Sequence, residues 1–485
     1  MSWREKLILG VVLTLYACLG LIHSSHQGFW HDEIYTLTFL NGISVYDFEG
    51  SAWTYLNNEF NVQAFKELLS EDNFFKNFQT QILHEGHPPL YFILLKFWSY
   101  AFGTSEIALR GFSLCCGILV LLVFYQLFRS HSKNRYVPWL LLLLLILNPF
   151  LFYFFTEARM YALALLLSTI SFSSWLNYQN ERQIKSLSFL LFSISSIGLL
   201  YTHYYGIFFL TSLGLYELLK YGFRTSLLNH LIPVALFIPW GFQVQKQLNF
   251  HTVHWTDGSV SVFDSTVGFL DGLVHTLISP GSDFTDYELI IIVSLFTLIS
   301  FLYFKRDGWT STIVILTIMF YGAQILVFDQ LIDHHSILVP RYYLFVLVFV
   351  YWFLFSAFNL ISKPWSFLVV FLIGIASGNV LKQIFYLERA PKEMFKEVAV
   401  FIDKQFEPEK RILVFEPKGP LVFGVAYYLG GDFEMALAPD DSNKSEKSAV
   451  YIDERLGLAY KENQFNSAQQ ENLELIPFVG VALYK

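Results

Sequence analysis

The chain has 485 residues, 54% of them hydrophobic and only 15% charged, with a mean hydropathy of +0.45. Soluble domains are nearer a quarter charged, and here the apolar residues form long uncharged runs, which excludes a soluble globular protein and implies a polytopic membrane protein. The net charge of −8 comes with no basic patch, which excludes a nucleic-acid partner, and Cys18, Cys115 and Cys116 all lie inside apolar runs, which argues against a disulfide framework.

The first apolar run, 7–22, follows Arg4 and Lys6 and has no small-residue cleavage site after it, so it reads as an uncleaved anchor. A few residues later comes Gly28-Phe29-Trp30-His31-Asp32-Glu33-Ile34-Tyr35. Two adjacent carboxylates, a histidine and aromatic rings are thereby set just past the point where a span emerges. Eleven runs are long and apolar enough to cross: 7–22, 111–128, 137–155, 160–178, 186–202, 204–216, 227–242, 289–304, 309–328, 342–362 and 364–381. The run 88–103 opens with Pro88-Pro89 and carries Lys96 at its middle, so it reads as an interfacial helix that does not cross.

Charge orients the spans. With the N-terminus inside, the inner segments 1–6, 129–136, 179–185, 217–226, 305–308 and 363 hold twelve Lys and Arg, against Arg159 and Arg341 on the short outer connections. Segments 24–110 and 243–288, and the tail from about 388, are then extracytoplasmic. The second of these loops holds His251, His254, Trp255 and a moderately apolar stretch, 262–278, which reads as interfacial or as a lid. After Tyr386 the composition becomes that of a soluble domain of about 95 residues. Helices are predicted at 392–405 and 421–429, strands at 411–415, 449–452 and 478–484, and a polar loop at 440–447. The expected architecture is a membrane all-α bundle of about 11 transmembrane helices with interfacial helices, residues 1–387, followed by a small extracytoplasmic α/β domain, 388–485.

Ionisable residues are scarce at span centres, Glu217 being the clearest exception near an inner end. They gather instead at outer ends: Asp32, Glu33, Glu85, His87, Glu106, Arg110, Glu157, Arg159, His203, Asp333, His334, His335 and Arg341. Ion-coupled transporters place such groups near the midplane. An enzyme acting on a lipid headgroup needs them where they are here.

HDEIYTL after the first span resembles the acidic pair of the C-type glycosyltransferases, polytopic enzymes that use polyprenyl-phosphate sugars. HPPLYFILLKFW at 87–98, GTSEIALRGFS at 103–113, TEARMYAL at 156–163 and PRYYLF at 340–345 resemble their later motifs, in order and spacing. The pattern is most similar to glycosyltransferase family 39, which includes protein O-mannosyltransferases and, more distantly, aminoarabinose transferases of lipid A. The resemblance implies transfer of a hexosyl or pentosyl group from a polyprenyl-phosphate sugar to an acceptor hydroxyl on a protein, lipid or glycan.

That chemistry needs a base for the acceptor hydroxyl and cations for the departing phosphate. Asp32 is the expected base, as the resemblance also implies. Desolvation beside a second carboxylate is expected to raise its proton affinity. For Asp32 and Glu33 alike the alternative is a cap on the helix starting near Ile34. Glu157 is a second acidic group that can orient acceptor or base. Arg110, His87, Arg159 and Arg341 are candidates to hold the donor phosphate. For Arg110 the alternative is a pair with Glu106, and for Arg159 a pair with Glu157 or Asp32. His87 stands where some relatives carry lysine, and Tyr161 also reads as an interfacial aromatic. The sequence singles out no cofactor. A divalent metal held by Glu85, His87 and His203 is the weaker alternative to hydrogen-bonded interfacial side chains, and 333–335 reads as a solvated loop. The expected enzyme inverts the anomeric centre and sits in the cell (inner) membrane with a cytoplasmic N-terminus. The competing functions are a lipid-linked glycan polymerase or ligase, a flippase, and a non-catalytic scaffold.

Overall fold

The structure is a computed structural model that describes residues 2–26, 28–43, 60–181, 186–250, 260–278, 299–301, 303–305, 307–332, 335–360, 395–409, 411–415, 419–437, 448–453, 475–478 and 481–484. The predicted span 364–381, most of 289–304, His251, His254, Trp255, Asp333, His334 and the polar loop 440–447 lie outside the described residues. The chain divides into two compact units. The first comprises Met1–His23, Gly86–Ile93 and Arg110–Leu387; the second comprises Ser24–Glu85, Leu94–Leu109 and Glu388–Lys485.

The first unit is helical. Each expected span that falls within the described residues is helix over most of its length, from Trp3–His26 through Glu106–His131, Tyr161–Glu181, Leu187–Leu200, Gly206–Tyr221, Phe223–Phe250 and Gly308–Ile332 to Leu347–Leu360. By length and composition four helices of the described residues are able to cross a membrane, or five if a bent pair counts as one. That pair corrects the expectation of one continuous span over 137–155. Tyr136–Ile146 and Pro149–Phe155 meet at 64°. Pro149 has no N–H and cannot extend the helix before it, but it is tolerated as the first residue of a new one. Asn148 caps that new helix, accepting the Leu151 N–H at 3.0 Å. Its amide nitrogen donates to the Thr276 carbonyl at 2.9 Å, tying the break to the Val262–Ile278 helix. The span expected at 342–362 opens as a tight 3-10 turn, Pro340–Val346, before Leu347–Leu360. Asp329 accepts the Ile337 N–H at 2.7 Å and Tyr343 donates to the Ile337 carbonyl, so this entry is anchored to the Gly308–Ile332 helix.

The second unit is built around the His31–Leu40 helix and a six-stranded sheet. The strands are β1 Phe60–Asn61, β2 Arg411–Phe415, β3 Glu434–Leu437, β4 Ser448–Asp453, β5 Leu475–Phe478 and β6 Val481–Tyr484. They lie in the order β1-β3-β2-β4-β6-β5, with β2 parallel to both neighbours and the outer pairings antiparallel. The expected strand 478–484 is thus two strands paired antiparallel. β1 is contributed by the segment after the first span and pairs Phe60 with Met435. Helix Phe395–Gln405 buries Phe395, Val398, Ala399 and Ile402, the i, i+3, i+4, i+7 face of an amphipathic helix. Each large apolar side chain so buried contributes about 1.5–3 kcal/mol. Gly424 lets the Gly419–Tyr428 helix approach Phe395, because a Cβ there would strike that ring.

The His31–Leu40 helix is fixed at both ends. At its start Glu33 reaches back to accept the Trp30 N–H at 3.3 Å, the role of a glutamate at the third helical position. At its end the buried Lys96 ammonium donates to the Leu40 carbonyl at 2.9 Å and pairs with Asp72 at 2.9 Å. Gly42 follows with φ +78°, a conformation that favours glycine. Its carbonyl accepts from Asn77 at 2.8 Å. Lys96 lies on Leu90–Phe102, thirteen residues long, or about 20 Å, which falls short of a hydrocarbon core of about 30 Å.

Candidate active site

In the first unit, cations and aromatic rings gather around His203. The chain turns between Leu187–Leu200 and Gly206–Tyr221, and the Tyr201 carbonyl there accepts the Leu90 N–H at 2.9 Å. That bond seats the chain after Pro88-Pro89 on the turn. His87 accordingly meets His203 edge to face, with ring centroids 5.4 Å apart. Tyr161 at 5.8 Å, Tyr342 at 5.8 Å and Phe345 at 5.2 Å complete the surround. Arg341 and Arg159 lie within electrostatic reach of the same imidazole. Burial, reinforced by the charges of His87, Arg341 and Arg159, holds His203 well below the usual histidine range.

The arginines are held by short-range structure. Ser113, one turn after Arg110 on the Glu106–His131 helix, donates its hydroxyl to the Arg159 carbonyl at 3.3 Å. The Arg159 N–H closes a tight turn onto the Glu157 carbonyl at 2.8 Å. Arg110, Glu157 and Arg159 are all buried. Burying such charges is costly unless the site is built for them. The Arg341 guanidinium lies 5.7 Å over the Tyr342 ring, which itself stacks on Tyr205 at 4.3 Å and 5°. The first unit therefore brings together His87, Arg159, Arg341 and His203 of the residues picked from sequence.

Asp32, Glu33, Glu85 and Glu106 belong to the second unit. Asp32 is half-buried in the first turn of its helix, where the helix dipole stabilises a negative charge, the form that a base must have. Glu33 is fully buried and serves as the N-terminal cap described above. Glu106 accepts the Tyr428 hydroxyl at 2.9 Å and pairs with Lys396 at 3.5 Å. The same Tyr428 oxygen accepts the Phe29 N–H at 2.6 Å, three residues before Asp32. Gly28 allows this approach, since a Cβ there would sit 2.8 Å from the Lys396 Cβ and 3.1 Å from the phenol. Burial, followed by the Glu106 charge, raises the Tyr428 phenol far above its ordinary range, so it keeps its proton at every working pH. Glu85 follows the Phe74–His84 helix as its C-terminal cap. Among the described residues no three His, Cys, Asp or Glu converge as a metal-ligand set.

Sequence reasoning missed Tyr428, Lys396 and Asn148 as organising residues. The Asn148-Pro149 dipeptide was a readable break signal. Nothing local marks Tyr428, which acts on a segment 399 residues away.

Residues 35–253 match the family model for dolichyl-phosphate-mannose-protein mannosyltransferase. No curated protein matches the chain. Among solved structures it is similar to ArnT from Cupriavidus metallidurans in the apo state, at 12% identity and TM-score 0.58, covering 100% of this chain and 98% of that one. The same protein bound to undecaprenyl phosphate gives 12% identity and TM-score 0.57, with the same coverage. The Archaeoglobus fulgidus oligosaccharyltransferase in the apo form gives 11% identity and TM-score 0.48, covering 90% of this chain and 65% of that one. At such identities a structural likeness establishes fold alone. With the family-model match over residues 35–253, it makes this multi-pass membrane protein a relative of the C-type glycosyltransferase superfamily.

Proposed function

We propose that the chain transfers a sugar from a polyprenyl-phosphate donor to an acceptor hydroxyl at the extracytoplasmic face of the cell (inner) membrane, with inversion. The observation that carries this reading is the gathering of His87, Arg159 and Arg341 around His203 in an aromatic surround. Guanidinium groups in a partly desolvated pocket suit a phosphate that gains charge as it leaves. The match to a family named for a lipid-phosphate sugar supports it, as does the fold shared with a protein solved with undecaprenyl phosphate.

In this reaction Asp32 takes the proton from the acceptor hydroxyl as its oxygen attacks the anomeric carbon. The carbon–oxygen bond to phosphate breaks, and its electron pair stays on the phosphate oxygen. Attack from the opposite face inverts the centre. Arg110, His87, Arg159 and Arg341 bind the phosphate, and Glu157 orients the acceptor. Eleven crossings with a cytoplasmic N-terminus put 24–110 and 388–485 on the side of the chemistry, in keeping with the distribution of Lys and Arg.

Asp32→Asn tests the reading. It keeps size and hydrogen-bonding reach while removing the base, so transfer falls by about 10²- to 10⁴-fold while insertion and polyprenyl-phosphate binding persist. The assay is the mass gained by cell-surface lipids, proteins and glycans. An unchanged mass gain in Asp32→Asn cells removes Asp32 as the base.

A further inference from the structure

His203 is 2% exposed, and one of its two ring nitrogens is already committed. The Tyr205 N–H donates to Nδ1 at 3.1 Å. A nitrogen that accepts carries no proton, so the neutral ring holds its proton on Nε2. Nε2 has no hydrogen-bond partner among the described residues. A buried N–H without an acceptor is rare in folded proteins and calls for an acceptor from outside the chain. The neighbours restrict what that acceptor is. Arg159 and Arg341, within electrostatic reach, oppose a metal cation and favour an anion. A protonated Nε2 has no lone pair to give a metal, and moving the proton to Nδ1 would set two N–H groups against each other at Tyr205. The ring is also fenced by Tyr161, Tyr342 and Phe345, so it cannot turn to exchange its nitrogens without displacing them.

We propose that the Nε2–H of His203 donates to an oxygen of a phosphate monoester, making His203 a binding residue for the phosphate that the sugar leaves. The identity of the lipid rests on the glycosyl-transfer reading above; the chemistry itself is that of a phosphate oxyanion, either a polyprenyl headgroup or the free ion. The arginines supply charge, and the imidazole supplies a direction. Its hydrogen bond strengthens as charge builds on the phosphate, and the proton stays on nitrogen throughout.

The test uses the purified full-length protein and two substitutions of opposite expectation. The glutamine amide nitrogen reaches the Nε2 position, whereas the asparagine amide nitrogen reaches only Nδ1. Undecaprenyl phosphate, undecaprenol, inorganic phosphate and Zn²⁺ are titrated separately, with binding read from the rise in melting temperature. His203→Asn weakens binding of the phosphate by about 10- to 100-fold, the range for a hydrogen bond to a charged group. His203→Gln stays within about threefold of wild type. Undecaprenol binds all three proteins alike. Dependence on His203 seen only with undecaprenyl phosphate assigns the site to the lipid headgroup, and dependence seen also with inorganic phosphate assigns it to the shared ion. Equal phosphate binding by wild type and His203→Asn overturns the inference and leaves the transfer reading standing. Failure of wild type to bind undecaprenyl phosphate overturns both. Equal loss in the two variants, or Zn²⁺ binding that needs His203, overturns the assigned proton position.

Discussion

Replacing Tyr428 by phenylalanine removes one oxygen that makes two bonds at the entrance to the Asp32 helix. It accepts the Phe29 N–H at 2.6 Å and donates to Glu106 at 2.9 Å. Phe29 is fully buried, so its amide loses an acceptor without gaining water. Such a loss costs about 1–3 kcal/mol, and a bond to a carboxylate about 1.5–3 kcal/mol. Glu106 is 18% exposed and keeps Lys396 at 3.5 Å, so its share is taken at the low end, for about 2–4 kcal/mol in all. At 1.4 kcal/mol per tenfold, the segment 28–33 opens about 30- to 700-fold more often. Hydrogen–deuterium exchange read by mass spectrometry over 28–34 measures this directly, with the Val262–Ile278 peptide as an internal reference. Exchange over 28–34 equal to wild type, in a variant that transfers normally, refutes the claim that the phenol holds this entrance.

Two further expectations concern the same unit. The Lys96 hydrogen bond to Asp72 holds that carboxyl below the usual 3.8, so its contribution is fully present above that value and is lost as the pH falls through the lower, folded value. The melting temperature of wild type minus that of Asp72→Asn is then constant from about pH 5 to 8 and shrinks below about pH 4; a difference that does not change on acidification contradicts the pairing. Deleting 391–485 removes Lys396, Tyr428 and β2–β6, so transfer falls by about 100-fold or more while undecaprenyl-phosphate binding remains measurable; normal transfer by the truncated chain contradicts a role for this segment at Asp32.

What the sequence disclosed, and what it hid, follows the range of the interactions. Uncharged apolar runs mark helices because each helix satisfies its own backbone, and the Val262–Ile278 helix and the Arg411–Phe415 strand have the bounds read from local pattern. The motif residues His87, Arg159 and Arg341 were visible as ionisable groups at span ends, because charge is expensive elsewhere in a membrane segment. Lys96 was read as a reason for its helix not to cross. Its work, closing the end of the Asp32 helix, depends on a partner carbonyl 56 residues away. β1 is two residues long and joins a sheet whose other strands begin at Arg411; no alternation of so short a segment announces it. The bend at Leu147–Asn148 had a signal in Asn148-Pro149, but the uninterrupted leucine run before it outweighed two residues in any hydropathy window.

The two compact units also divide the residues of the proposed reaction. His87, Arg159, Arg341 and His203 belong to one, and Asp32 with its bracing by Tyr428, Glu33 and Lys96 belongs to the other. If each group is held by the contacts of its own unit, donor binding and transfer are separable by mutation. His203→Asn then weakens undecaprenyl-phosphate binding and leaves exchange over 28–34 unchanged. Tyr428→Phe speeds that exchange and lowers the transfer rate at saturating donor while leaving donor affinity unchanged. The double variant shows the two losses adding, as independent sites do, within about 0.5 kcal/mol. A coupling of about 1 kcal/mol or more between the two substitutions would mean that the braces around Asp32 also shape the phosphate pocket, and donor binding would then be the event that sets the base in place.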